Sequence, residues 1–418
     1  MSRKNAIILI VVFILLIGGG LLFFYFSSTN KTPVTQQQQQ TTTQGNPFGT
    51  TPQNNNTNIN TSTTSNNQTG GVTSNKVLAK LIKLFNSPTS GSVFFTNKGN
   101  QGVIRFVDRS NGNTYEYIPE MQTGEPKRLT NTTIPKIQEA IWSNTGDNLI
   151  YRYLDNETDN IVSFLAKLKI STSSIGVSGE VTGTFLSSNL KQIAINPRGD
   201  KIFSLIDKSD KSGTYGFTSS ITNTDKKQIF DSPVSYWNIS WPKESVITLT
   251  NKPSYTSAGF LYFFNPQTYS MDRILGDITG LSTVTNNNAN LVAFSLSTNN
   301  SLTLDVYDVT NRIAKNYRLP TLADKCVWGN KNSSVLYCAI PENITPDKYP
   351  DAWYQGTESF KDGLWMIDTS KGVMTELYRL GLTENVDIDA MDLKISPDDQ
   401  YITFVNKNDL SLWMITIQ

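Results

Sequence analysis

The chain has 418 residues, a formal net charge of +1 and no histidine. Without imidazole, Ser-His-Asp hydrolysis, histidine acid-base chemistry and zinc sites that need histidine are excluded. The balanced charge removes the case for nucleic acid, because a phosphate-binding domain carries a clear basic excess.

At the N-terminus, Arg3 and Lys4 precede an apolar run over residues 6–26, about 21 residues and long enough to cross a bilayer. The run is longer than a secretory signal core and no Ala-x-Ala follows it. It therefore reads as an uncleaved plasma-membrane anchor, with residues 1–5 cytoplasmic and the remainder outside. A cleaved signal is the alternative, because Gly18-Gly19-Gly20 breaks the run and Ser27-Ser28 follows it. No cysteine lies near its end, which excludes a lipoprotein anchor. Residues 27–76 are almost entirely Thr, Gln, Asn, Ser, Gly and Pro and cannot bury a core. As a flexible coil the tract spans roughly 40 Å and reads as a disordered tether.

Over residues 77–418 the composition changes to short runs of Val, Ile, Leu, Phe, Tyr and Trp bounded by Asn, Asp, Gly, Pro or Ser, the pattern of strands and hairpin turns. A motif of apolar strand, turn and apolar strand recurs about every 45 to 50 residues. Its clearest copies are Ile193-Ala194-Ile195-Asn196-Pro197-Arg198-Gly199-Asp200-Lys201-Ile202-Phe203 and Leu393-Lys394-Ile395-Ser396-Pro397-Asp398-Asp399-Gln400-Tyr401-Ile402. Laid under one another, the segments give seven units of four strands, a to d: an all-β, seven-bladed β-propeller, with six or eight blades as the alternatives. The fifth unit is the weakest, its turn reduced to Asn286-Asn287-Asn288. Residues 83–90 match residues 228–235, which close the third unit and open the fourth, so residues 80–86 read as a strand d with no a, b or c before it, whereas the seventh unit stops after strand c. The N-terminal strand is therefore expected to complete the last blade, which removes an exposed sheet edge.

The motif resembles the WD-like repeats of the TolB-type β-propeller family, whose signature is an aromatic residue or Ile, then Ser-Pro-Asp-Gly, then alternating apolar residues ending in Phe. Ile395-Ser396-Pro397-Asp398-Asp399 is the best match, followed by Asn196-Pro197-Arg198-Gly199-Asp200 and Trp142-Ser143-Asn144-Thr145-Gly146-Asp147. The resemblance covers residues 80–418 and implies the fold. It implies no single activity, because such propellers serve as binding platforms, enzyme scaffolds and accessory domains.

Cys326 and Cys338 flank the hairpin of the sixth unit, at positions that align with Leu393 and Val405, an apolar pair expected to face each other. They read either as a disulfide or as two buried free thiols. Between strands b and c of the same unit, residues 341–362 insert about twenty residues where shorter loops are usual. Tyr349, Asp351, Trp353, Tyr354 and Phe360 in this insertion, with Tyr255 in a neighbouring b–c loop, are the candidate contact residues, since exposed aromatics stack on sugars or anchor proteins. The alternative is that these rings fold back and cap the channel. Asp155-Asn156-Glu157-Thr158-Asp159 alternates oxygen donors but lacks the glycine and distal Glu of a calcium loop, so no metal or cofactor is expected. Asp351, Glu358, Asp362, Asp387 and Asp389 could supply paired carboxylates, although the sequence brings no two together. The expected function is non-enzymatic binding or scaffolding at the membrane, for an envelope protein or a cell-wall glycan. A carbohydrate-active hydrolase or lyase using acids of the funnel is the alternative.

Overall fold

A blade strand has two apolar faces, and each face needs a neighbouring blade to cover it. In the computed structural model, which describes residues 81–417 except 122–123, 132, 156, 159, 171–178 and 382–385, that requirement is met by seven four-stranded sheets. The expected anchor and tether lie outside the described residues, among which no helix is long and apolar enough to cross a membrane. The innermost strands of blades 1 to 7 are Thr89–Thr96, Ile137–Trp142, Leu190–Ile195, Trp237–Lys243, Ser282–Thr285, Cys326–Trp328 and Ala390–Ile395. All seven units read from the sequence are present, including the fifth, whose Ser282–Thr285 pairs antiparallel with Leu291–Thr298.

The core is a ring of separate clusters, one for each pair of neighbouring blades. Tyr337 of blade 6 packs with Phe404 of blade 7, Phe95 of blade 1 with Trp142 of blade 2, and Phe203 of blade 3 with Leu249 of blade 4. Strand b is covered on both faces, so Val335–Pro341 and Tyr401–Asn406 are buried throughout. Strand d meets solvent, and Ile313–Leu319 is mostly exposed.

The last blade closes as expected. Leu81–Phe85 pairs antiparallel with Leu412–Thr416, Leu81 opposite Ile415 and Lys83 opposite Trp413. Leu81 and Leu84 are buried there, and Lys83 Nζ lies 3.3 Å from Asp409 Oδ2. One expected pairing fails: Val405 faces Met391, and a register shift between Met391 and Lys394 takes Leu393 out of line. Such bulges recur in strand a, between Thr89 and Ser92 and between Ile137 and Glu139, where they add local twist.

Polar residues of several repeat turns fasten neighbouring blades together. Asn144 Nδ2 donates to Pro197 O at 3.0 Å, Asn196 Nδ2 donates to Glu244 Oε1 at 3.0 Å, and Asn286 Nδ2 donates to Ser333 O at 3.0 Å. Asp399 accepts the backbone N–H groups of Asn330, Lys331 and Asn332. Gly146, at φ +72°, sits against Phe95 of the preceding blade, and a Cβ there would lie 2.4 Å from the ring.

Two outcomes follow for stability. Deleting residues 81–85 should remove more than about 3 kcal/mol, because two buried leucines are lost and the edge of strand c is bared. A urea midpoint that does not move would refute closure as a source of stability. Gly146→Ala should cost about 2–4 kcal/mol through backbone strain and the Phe95 clash, whereas Gly356→Ala, at a similar φ of +76° but with nothing within 4 Å, should cost only about 1 kcal/mol. Equal melting temperatures for the two variants would show that the Phe95 contact is not tight.

Candidate functional site at the b–c and d–a rim

The insertion after strand b of blade 6 folds down onto the rim that carries the b–c loops and d–a connections. It contains one helical turn, Asp351–Tyr354, and its rings form a small core of their own: Tyr349, Ala352, Trp353 and Phe360 pack with Leu302 and Leu322. Three candidate contact residues are thereby corrected. Tyr349, Trp353 and Phe360 are 0%, 5% and 3% exposed, and cannot form an open contact surface. The insertion has too little backbone pairing of its own to stand free, and burying three rings is what holds it in place.

Polar contacts complete the attachment. The Asp351 carboxylate accepts the backbone N–H of Tyr255, and the Tyr255 hydroxyl donates to Asn300 Oδ1, so both of these candidates are half-buried fasteners between the insertion and the loops of blades 4 and 5. Beneath the helical turn, Trp353 Nε1 donates to Asp389 Oδ2 at 2.9 Å. Lys325, fully buried, is ion-paired with Asp389 and with Asp362, the latter at 2.9 Å. Of the five candidate acids, the fold thus brings Asp362 and Asp389 together, but around a lysine and away from solvent. Asp387 pairs with Lys361 at 2.7 Å on the surface. Glu358 contributes its backbone carbonyl to Lys407 Nζ at 2.9 Å.

Cys326 and Cys338 are register partners across strands a and b and form a disulfide, with Cα atoms 4.1 Å apart. The linkage lies in the blade that carries the insertion and ties its inner strand to the strand from which the insertion springs. Asp155, in the acidic loop, accepts the N–H of Glu157 at 3.0 Å and of Thr158 at 2.9 Å, an Asx turn. Those bonds hold its carboxyl below the usual range, the backbone N–H of Thr158 being the largest influence. Asn156 and Asp159 lie outside the described residues. Among the described residues, no group of three or more Cys, Asp or Glu side chains is placed to hold a metal.

Of the insertion's candidates, Tyr354 alone is exposed, with 42% of its surface open. Its hydroxyl donates to Asp324 Oδ2 at 2.8 Å. Burial and the Asp324 carboxylate both push that hydroxyl well above the usual phenol range, and with the ring this open the Asp324 contact is the firmer cause. Tyr354 borders a cavity of about 500 Å³ walled by Gln192, Asn238, Thr250, Thr283, Lys252 and Tyr236. Tyr236 is 40% exposed and its hydroxyl is pushed up by burial and then by Asp324 and Glu139. A larger space of about 870 Å³ fills the central channel toward the opposite rim, lined by Phe94, Trp142 and Trp328. Its asparagines are engaged between blades, Asn287 with Asn330 at 2.9 Å, which makes the smaller cavity the better-equipped one.

Sequence reading missed Tyr236, Asp324 and Lys325. Tyr236 and Asp324 sit in ordinary d–a connections with no spacing signal. Lys325 leaves one hint, a lysine adjoining the apolar Cys326-Val327-Trp328 strand. Replacing both Cys326 and Cys338 by Ala should lower stability by about 3 kcal/mol, the value for a short closed loop such as this one, whose cysteines are 12 residues apart. Chemical denaturation of the double variant checks this, and a shift of less than a third of that size would show that the disulfide adds little to the packed blade.

No family model matches the chain, and no curated protein matches it. Solved structures do. An oligogalacturonate lyase in complex with manganese is similar at 11% identity, over 81% of this chain and 90% of that one, with a TM-score of 0.51. An oligogalacturonate lyase from Vibrio parahaemolyticus is similar at 10% identity, over 80% and 91%, with a TM-score of 0.51. TolB from Acinetobacter baumannii matches at 12% identity over 64% of this chain and 59% of that chain, with a TM-score of 0.42. At such identities the likeness is one of fold. The chain is a seven-bladed β-propeller whose repeat turns are similar to the TolB-type, WD-like motif.

Proposed function

We propose that the chain is a membrane-anchored, extracytoplasmic binding module that takes a segment of glycan into the cavity beside Tyr354. The observation that carries this reading is the pair of open tyrosines, Tyr354 and Tyr236, on a cavity of about 500 Å³ whose remaining lining is amide, hydroxyl and charged side chains apart from Ile239 and Pro253. Tyrosine faces stack on the apolar faces of sugar rings, while amides and hydroxyls match the sugar's own hydroxyls. Rigidity supports the same reading: the loop that presents Tyr354 is fixed by buried rings, an ion cluster and a disulfide at its base, so little order has to be gained on binding. The apolar run at residues 6–26 and the polar tract at 27–76 would hold the propeller clear of the bilayer.

A carbohydrate-active enzyme on the same cavity is the second reading. The Tyr354–Asp324 pair favours it, since a phenol hydrogen-bonded to a carboxylate can pass on a proton. Titration calorimetry of the purified full-length chain with neutral and acidic oligosaccharides separates these readings. Binding without chain shortening is expected, weakened about tenfold by Tyr354→Ala and by Tyr236→Ala, as loss of one stacking contact implies. New chain ends in the titrated sugar would turn the assignment to the enzyme. Equal affinity in wild type and both variants would remove the cavity, and capture of an envelope protein by cross-linking on cells, with no sugar bound, would replace the glycan with a protein partner.

A further inference from the structure

The sealed cluster beneath the insertion is chemically unusual. Lys325, Asp362 and Asp389 have no exposed side-chain surface, so one cation shares the interior with two anions. The next cation, Lys407, stands 3.8 Å from Asp389. Desolvation of such ions ordinarily outweighs their attraction, and an excess anion worsens the balance.

The two carboxylates have different surroundings. Asp389 accepts from Trp353 Nε1 at 2.9 Å, from the Phe360 backbone N–H at 3.0 Å and from the Ser359 hydroxyl at 3.2 Å. Asp362 accepts with Oδ2 alone, from the Ala390 N–H at 2.7 Å and from Lys325, and its buried Oδ1 has no partner. Burial pushes the Asp362 carboxyl up to about 6, against the opposing pull of Lys325. A carboxyl with one free oxygen, easily protonated and touching an amine, is an acylating group held against its nucleophile. Lys325 Nζ also lies 5.2 Å from the centre of the Trp353 ring and 5.3 Å from that of Phe360, which close the site to water.

We propose that Lys325 and Asp362 condense to an intramolecular amide, with Asp389 relaying protons. Asp389 carries one proton from the Lys325 ammonium to the Asp362 carboxylate. The freed amine attacks Asp362 Cγ, and the Nζ–Cγ bond forms. Asp389 then moves a second nitrogen proton to the hydroxyl on Cγ, whose C–O bond breaks to release water. An ammonium and a carboxylate become an amide and one water, with no oxidant or cofactor. Two buried charges vanish, and Asp389 keeps its neutral donors and Lys407. The amide would tie the turn before strand a of blade 6 to the first residue of strand c, beside the disulfide that ties strand a to strand b.

Peptide mass mapping of the reduced full-length chain tests this, and trimming of the N-terminus does not affect it. The expected result is a branched peptide joining Lys325 to Asp362, lighter by one water than its two parts, with no tryptic cleavage after Lys325. Asp389→Ala should abolish or greatly slow its appearance, and Lys325→Arg should give two separate peptides of ordinary mass. Separate ordinary peptides from the wild-type chain, with normal cleavage after Lys325, would overturn the proposal whether or not the variants fold. A branch to Asp389 would overturn the assignment of roles, as would full cross-linking in a folded Asp389→Ala chain.

Discussion

Coverage of both faces of every blade is the constraint on which the other features of this molecule depend. A four-stranded sheet with apolar residues on both sides is insoluble alone, and a row of such sheets leaves two bare ends. Curling the row until the first and last blades meet removes both ends. Completing the last blade with Leu81–Phe85 holds the ring shut by backbone pairing as well as by side-chain contact. The separate clusters between blades follow from this geometry, as does the burial of strand b on both sides.

The residues of the repeat motif serve this assembly. In a hairpin turn, Asn and Asp are usually read as local formers of the turn itself. Here Asn196 both receives the N–H of Lys201 within its own turn and donates to Glu244 of the next blade, and Asp399 is spent entirely on the neighbouring turn. The inner strands and their turns are thus committed to holding the ring, which leaves the b–c and d–a connections as the places where the chain can vary.

The blade count and the closing strand are legible because each rests on local periodicity or on a turn whose geometry the residues dictate; the same turn places Cys326 and Cys338 opposite each other, but the sequence leaves a disulfide and two free thiols equally open. The insertion was legible as an interruption, but its orientation was not. Whether Trp353 faces solvent or Asp389 depends on a lysine 28 positions earlier and an aspartate 36 positions later, and no spacing rule links them. Tyr354 is legible with its neighbours because the segment is rich in aromatic residues. Tyr236 is not, because the cavity it shares with Tyr354 exists only once blades 3 to 6 are in place. Of the acids that could pair for catalysis, the fold brings Asp362 and Asp389 together, enclosed with Lys325.

Ring closure also sets an order of events. The contact between Lys83 and Asp409, inside the last blade, spans 326 residues, far more than any contact within the other six blades, each of which is one continuous stretch of chain. Local hairpins and neighbouring blades can form as the chain emerges, since their partners lie close in sequence. Leu81–Phe85, although first among the described strands, has no partner until Leu412–Thr416 has been made and paired, and so it waits unpaired longest. The segment that finishes the structure is therefore available before all the others and used after them, and the interval between is when the open ring is most exposed to pairing with another chain.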